Sequence, residues 1–192
     1  MKIIYCILGV SGTGKSTIAR EVSKILNIPI VISYTSRPIR PNEQEGVDYH
    51  FVDNKHFDDN FDDFIEMREY TVYDGSVWKY GYKKSDLNIE KSDYLVVIDP
   101  GGYQSFKRFF GNSAIKPILI DSHMHDIMAR INKRGDNPKE IERRLADDCA
   151  RFADFMEKEN CEIINNTQNL DYAVKQFLNI IKLHRKRKLR NH

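Results

Sequence analysis

Eight consecutive residues, Gly9-Val10-Ser11-Gly12-Thr13-Gly14-Lys15-Ser16, fit the pattern G-x-x-x-x-G-K-[ST] without a mismatch. Phosphate oxygens repel one another and need closely spaced donors. Glycines let a backbone curl so that several N–H groups point inward. A helix that starts at the end of such a loop adds its positive N-terminal end. A lysine at position 15 reaches the β and γ phosphates, and the Ser16 hydroxyl is the expected Mg²⁺ ligand. Ser11, Gly12, Thr13, Gly14, Lys15, Ser16 and Thr17 are therefore the expected ATP-binding residues.

A second cluster lies farther on. Arg37 and Arg40 sit in a loop braced by Pro38 and Pro41, and Tyr49 follows with a phenolic hydroxyl. The planar fork of arginine gives paired donors suited to a phosphate. Such a loop could hold a second phosphorylated molecule. Alone, it reads equally well as a surface loop with ordinary charges.

These residues need elements to position them. Residues 3–8 are a continuous apolar run, as in a strand buried on both faces. A helix should follow the glycine loop from about Ser16. Its apolar stripe is Ile18, Val22, Ile25 and Leu26, and Asn27 and Pro29 end it. Residues 30–32 form a short strand. Residues 33–84 are polar, aromatic and rich in turn residues, which marks an inserted subdomain. Strands are then predicted over 94–98, 115–120 and 161–164. Pro117 places its strand toward an edge. A short helix over 103–110 comes next, then a helical hairpin. Met124, Ile127, Met128 and Ile131 stripe its first arm, and Ile141, Leu145, Cys149, Phe152 and Met156 its second. Asn137 with Pro138 and Glu140 reads as a helix cap. Val174, Phe177 and Ile181 mark a last helix. Strands alternating with helices predict an α/β fold whose parallel central sheet is covered on both faces, three layers in all.

The chain has 192 residues and suits one domain with a full core. No apolar run is long enough to span a bilayer, and the residues after position 8 lack a signal-peptide cleavage pattern. Cys6, Cys149 and Cys161 form no C-x-x-C pair, and each falls in an apolar pattern. Buried, reduced thiols in a cytoplasmic protein are the expectation. The net charge of +2 excludes a general polyanion binder. Arg185, Lys186, Arg187, Lys188 and Arg190 crowd one end. A solvated helix end whose cations suit the helix dipole is favoured over a nucleic-acid tail. The six histidines show no metal-site spacing.

The ordered set of motifs resembles the guanylate kinase family. After the phosphate loop, Ser33, Arg37, Arg40 and Glu43 match S-x-x-x-R-x-x-R-x-x-E, and Gly46, Asp48, Tyr49, Phe51 and Val52 match G-x-D-Y-x-F-V. Residues 64–66 resemble the family's F-I-E, and Tyr80-Gly81 its Y-G. The strand ending in Asp99, with Gly102 after it, matches the next block. Residues 130–135 resemble the R-x-x-x-R-G lid and residues 141–145 the lid's returning helix. The resemblance implies a P-loop nucleoside-monophosphate kinase, with a core of residues 1–32, 85–121 and 149–192. It implies an acceptor-binding insert at 33–84 and a lid at 122–148. It implies that Ser33, Arg37, Arg40, Tyr49 and Tyr80 hold the acceptor phosphate, and that Glu43 and Tyr82 also belong to the GMP site. Glu66 would read guanine N1–H and the 2-amino group, and Asp99 would orient substrate or waters around Mg²⁺. Arg130, Arg134 and Arg144 would close over the triphosphate, and Asn165 would lie near adenine. The reaction implied is ATP plus GMP or dGMP to ADP plus GDP or dGDP, on small-molecule substrates.

Three features depart from the family pattern. Tyr82 stands where the family has a serine that donates toward guanine O6. Val97 replaces an acid. The stretch from Glu66 to Tyr80 is longer, by residues 75–79, and includes Trp78, for which a packing role is favoured. These leave open a related kinase with another nucleotide or phosphorylated acceptor. A binding module resembling the guanylate-kinase-like domains of scaffolds is the reading from another class.

Overall fold

The computed structural model describes residues 2–72, 74–133 and 138–190. Five strands, β1 (Ile4–Leu8), β2 (Ile30–Val31), β7 (Tyr94–Val97), β8 (Ile115–Asp121) and β9 (Glu162–Asn165), form a parallel sheet in the order β2-β7-β1-β8-β9. A smaller, four-stranded sheet is built by β3 (Tyr34–Thr35), β4 (His50–Phe51), β5 (Phe64–Thr71) and β6 (Val77–Lys83), in the order β4-β3-β6-β5. The helices are α1 (Lys15–Leu26), α2 (Asn54–Asp59), α3 (Pro100–Phe110), α4 (Met124–Lys133), α5 (Pro138–Lys158) and α6 (Leu170–Arg190).

Every residue of β1 is buried. Side chains alternate along a strand, and β1 feeds a separate core on each face. Tyr5 and Ile7 pack with Ile18 and Val22 of α1 and Phe177 of α6. Ile4, Cys6 and Leu8 pack with Phe106 of α3 and Phe152 and Phe155 of α5. This is the three-layer α/β fold that the strand–helix alternation predicts. No helix among the described residues is long and apolar enough to cross a membrane.

Several local expectations need correction. Ile25 is 56% exposed, so the buried stripe of α1 is Ile18, Ala19 and Val22. On α5, Met156 is 54% exposed and Cys149 is exposed, while Phe155 is buried beside Phe152. Adding three to Phe152 rather than four finds the true stripe, since both spacings share a helix face. Cys6 alone of the three thiols is buried; Cys161 is intermediate. β8 is an interior strand, but β9 pairs with it only from Ile118 onward. Ile4 N–H donates to the Ala114 carbonyl. In a parallel ladder with Ile4 opposite Ile115, the amides of Lys116 and Ile118 then turn to β1. Position 117 faces the other side, before β9 arrives, where a missing N–H costs no ladder bond. The lid boundary expected at residue 148 falls inside α5, which runs unbroken to Lys158. The cap expected at Asn137 lies outside the described residues.

Only two residues separate β2 from β3, so the chain passes directly from the core sheet into the insert sheet. The insert therefore hangs beside the carboxyl ends of β1 and β7, where ligands bind in open parallel sheets. Phe106, fully buried, makes an edge contact with the Tyr82 ring at 5.4 Å and so ties α3 to the insert. Phe106→Ala should cost about 3–5 kcal/mol in urea unfolding; a loss below about 1 kcal/mol would mean that the site collapses around the gap.

Candidate active site

The phosphate loop follows β1 and closes on α1. Gly12 has φ 88°, and a Cβ there would lie 2.9 Å from Ile131 Cγ1 and 3.0 Å from the Ile127 carbonyl. Gly14 has φ 94°, and its Cβ would meet Asn166 Nδ2 at 2.7 Å. Both positions need glycine for backbone conformation and for space. Thr13 closes the turn, with its amide and hydroxyl on the Val10 carbonyl at 3.3 and 3.0 Å. No side chain caps α1. The first amides of a helix have no intrahelical partner, so this end is an anion site.

Two groups already lie across the loop. Lys15 Nζ donates to the Gly9 and Val10 carbonyls at 2.7 and 2.9 Å. The Asp148 carboxylate of α5 accepts from the Ser11 amide at 2.7 Å. Arg130 of α4 donates to the Gly12 and Thr13 carbonyls, each at 3.3 Å, and to Ser122 Oγ at 3.1 Å. Asn165, expected near the bound base of ATP, is exposed and accepts from the Thr167 amide. Its neighbour Asn166 is the buried one and donates to the Thr13 carbonyl at 2.7 Å. Adjacent residues at a strand end face opposite ways, so Asn165 turns outward while Asn166 turns to the loop.

Two cavities, of about 270 and 200 Å³, share Ser33, Tyr49, Tyr82 and Val97 in their walls. The first reaches exposed Ser16 and Thr17 on one side and Arg40 and Glu43 on the other. The second runs from Gly9, Ser11 and Lys15 to Arg68, Tyr80 and Asp99. Tyr49 and Tyr80 meet edge to face at 6.0 Å. Arg37 is 3% exposed and does not border either cavity. Its fork donates to the Pro38 carbonyl at 2.6 Å and to Glu43 Oε1 at 2.8 Å, and its guanidinium lies over Tyr49 at 5.2 Å. Arg40 shares Glu43 through its Nη1 at 3.4 Å and its amide at 3.0 Å. Burial works against ionising Glu43, but Arg37 and the Arg40 amide outweigh it and hold the carboxyl below its usual range.

The far wall was only partly legible. Glu66 is 6% exposed and both its oxygens are taken by Arg68. Arg68, not Glu66, borders the cavity. Burial raises the Glu66 pKa, and the charge of Asp99 pushes the same way against Arg68. Asp99 caps α3, accepting from the Gly102 amide at 2.8 Å. It also pairs with Arg68, accepts from Tyr70 OH at 2.9 Å, and lies 3.4 Å from Arg151. Asp99 stays below the usual carboxylate range although burial opposes it, chiefly because of Arg68. Tyr82 is 2% exposed, and its hydroxyl donates to the Val97 carbonyl at 2.5 Å, so it is spent on the backbone. Arg68, Tyr70, Asp148 and Arg151 escaped the sequence reading. Period-two spacing puts 66, 68 and 70 on one face of β5 and was the available signal for the first two.

The longer β5–β6 hairpin meets the helix that returns from the lid. Arg144 lies over the Trp78 ring at 5.9 Å, and Arg143 over Tyr70 at 6.0 Å. Trp78 thus packs under Arg144, which borders the second cavity. Arg134 lies outside the described residues.

A glycine phosphate loop on a parallel sheet, facing an inserted sheet across shared cavities, defines a P-loop nucleotide-binding α/β protein. The chain belongs to the guanylate kinase family, whose family model matches residues 1–184. It is 30% identical over 185 residues to a guanylate kinase of Salinibacter ruber, covering 93% of this chain and 95% of the relative. With a guanylate kinase of Thermotoga maritima it shares 31% identity over 194 residues, covering 98% and 90%. A crystal structure of guanylate kinase from Anaplasma phagocytophilum superposes with a TM-score of 0.69 at 23% identity, over 95% of this chain and 86% of that one. That last likeness concerns the fold.

Two outcomes follow from the charges. Asp148 occupies a loop amide and repels phosphate, so Asp148→Ala should lower the KM for Mg-ATP by about threefold to tenfold. Initial rates read this, and an unchanged KM would mean that the contact costs nothing to break. Glu43 has a depressed folded pKa. Its stabilisation is present above the unfolded value of about 4.3 and is lost as pH falls through the folded value. Glu43→Gln should therefore lower Tm at about pH 7 and lower it progressively less as pH falls below about 4; an equal drop at every pH would show that charge is not the cause.

Proposed function

We propose that this chain transfers the γ-phosphoryl group of Mg-ATP to GMP or dGMP, giving ADP and GDP or dGDP. The observation that carries this reading is the intact phosphate loop opening onto cavities whose opposite walls belong to the inserted sheet. Family membership supports the acceptor.

Phosphoryl transfer asks for alignment and for neutralisation of negative charge, with little covalent work by the protein. The α1 amides and Lys15 would hold the triphosphate. To do so Lys15 exchanges two loop carbonyls for phosphate oxygens, and Asp148 yields the Ser11 amide. Arg130 lies beside the loop, and Arg143 and Arg144 face the second cavity, from which α5 can add positive charge. The acceptor phosphate would enter near Ser33, Arg40, Tyr49 and Tyr80. There it would compete with Glu43 for Arg40 and, through Glu43, for Arg37. The GMP phosphate is itself the nucleophile and needs no strong base. Movement of α4 and α5 over the loop would exclude water, which would otherwise take the phosphoryl group.

Mg²⁺ fits the donor set. Ser16 is exposed at the first cavity, and among the described residues no cluster of acidic, histidine or cysteine side chains forms an all-protein cage. Mg²⁺ keeps several waters and takes phosphate oxygens with few protein ligands, so one hydroxyl suffices. When bound, it supplies charge neutralisation at the phosphates. A cytoplasmic setting, where nucleotides are abundant and thiols reduced, suits the activity.

ADP release from Mg-ATP should be fast with GMP or dGMP. It should be slow with AMP, UMP, CMP and dTMP, and near background without acceptor. Fast release with another acceptor alone would overturn the GMP assignment, and no release with any would favour a binding module. Lys15→Ala should reduce transfer by about a thousandfold or more. Arg37→Ala should raise the acceptor KM about tenfold or more while the ATP KM moves little; equal effects on both would remove Arg37 from the acceptor site.

A further inference from the structure

Arg68 covers Glu66 and takes its place in the wall of the second cavity, beside Asp99. Arg68 borders that cavity and Glu66 does not. Glu66 receives Arg68 Nη2 on Oε1 at 2.9 Å, and its Oε2 lies 2.8 Å from Nε. Arg68 Nη1 pairs with Asp99. Asp99 is itself fixed by the Gly102 amide at 2.8 Å and Tyr70 OH at 2.9 Å. Two carboxylates, one bidentate, thus hold the guanidinium by three of its nitrogens. An arginine fork has five N–H groups. Nη2 spends one N–H on Glu66 and keeps the other, while buried Nε lies in the ion pair without a hydrogen bond of its own.

An N–H donor recognises an acceptor atom. Guanine O6 and N7 lie side by side, and arginine takes them as a pair. Adenine puts an amino group where O6 would be, so donor would meet donor. The neighbouring phenol cannot supply this contact, since Tyr82 OH is spent on the Val97 carbonyl at 2.5 Å.

We propose that Arg68 reads the acceptor base, donating to guanine O6 with N7 beside it. Glu66 and Asp99 are positioning residues that aim its fork. This rests on the reading of the chain as a GMP kinase. It differs from direct recognition by Glu66 in the guanine atoms that matter: O6 for Arg68, N1–H and the 2-amino group for Glu66.

The test is a cycle between protein and substrate. Steady-state kcat/KM is measured for wild type and Arg68→Met with GMP, with 6-thio-GMP, whose sulfur is a weak acceptor, and with IMP, which lacks the 2-amino group. Wild type should prefer GMP over 6-thio-GMP by about tenfold or more, and over IMP by only about threefold. Arg68→Met should bring GMP and 6-thio-GMP within about twofold, with the ATP KM unchanged. A purely structural role would slow all three acceptors and leave their ratios alone, which would overturn the proposal. So would an Arg68→Met enzyme that keeps the full preference against 6-thio-GMP. Should Arg68→Met not fold, a crystal structure of the wild-type GMP complex decides. An Arg68 nitrogen within hydrogen-bond distance of O6 supports the proposal, and O6 held by any other group overturns it. Wild type that leaves GMP untouched overturns the GMP reading and this proposal together. Unchanged O6 discrimination alone leaves the GMP reading standing.

Discussion

A helix begins with amides that its own geometry cannot satisfy, and at the start of α1 those amides carry no side-chain cap. The loop before them is bent so tightly that Gly12 and Gly14 take positive φ, with protein atoms within 3 Å of any added Cβ. That open set of donors depends on β1, fully buried between two cores, to hold its base still. The sheet order then places β7 on one side of β1 and β8 on the other. β7 runs into Asp99 and α3 on the side of the inserted sheet. β8 runs into Ser122 and α4, which bring Arg130 to the loop. The rest of the site is arranged around the loop and the amides at the start of α1.

The same physics explains the carboxylates. Cations and amides gathered to bind phosphates or a polar base need partners when none is bound, since an unpaired buried charge is costly. Asp148 covers the Ser11 amide, Glu43 serves both Arg37 and Arg40, and Glu66 with Asp99 serves Arg68. Each acid keeps a donor oriented and sets the strength a substrate must exceed. A carboxylate accepts through several lone pairs, so a substrate can share such a donor set without breaking all of it. The aromatic hairpin plays a parallel part for α5, with Tyr70 and Trp78 beneath Arg143 and Arg144.

What could be read from the sequence was what lies close along the chain. The phosphate loop is contiguous and its chemistry is backbone chemistry, so the residue pattern is nearly the site. The α/β alternation followed from apolar periods, although Ile25 and Met156 show that a stripe drawn at one spacing admits exposed residues. Contacts across the fold were not readable. Ser11 meets Asp148 across 137 positions, and Asp99 meets Arg151 across 52. Glu66 was found by its motif, but its cover by Arg68 depends on how two side chains of one strand face fold onto each other. The contact of Asn166 with the loop and the engagement of Tyr82 with Val97 are likewise matters of which way a side chain turns.

The central claim is that one phosphoryl group passes from ATP on the loop to an acceptor held by the insert, without water intervening. The most direct measurement gives wild-type protein Mg-ATP labelled with ¹⁸O in the γ-phosphoryl group, together with GMP, and follows the label by mass spectrometry. The account predicts that the labelled group appears in GDP as fast as ADP forms, with free phosphate near background. Label accumulating in free phosphate, or remaining in ATP while GMP is unchanged, would contradict it.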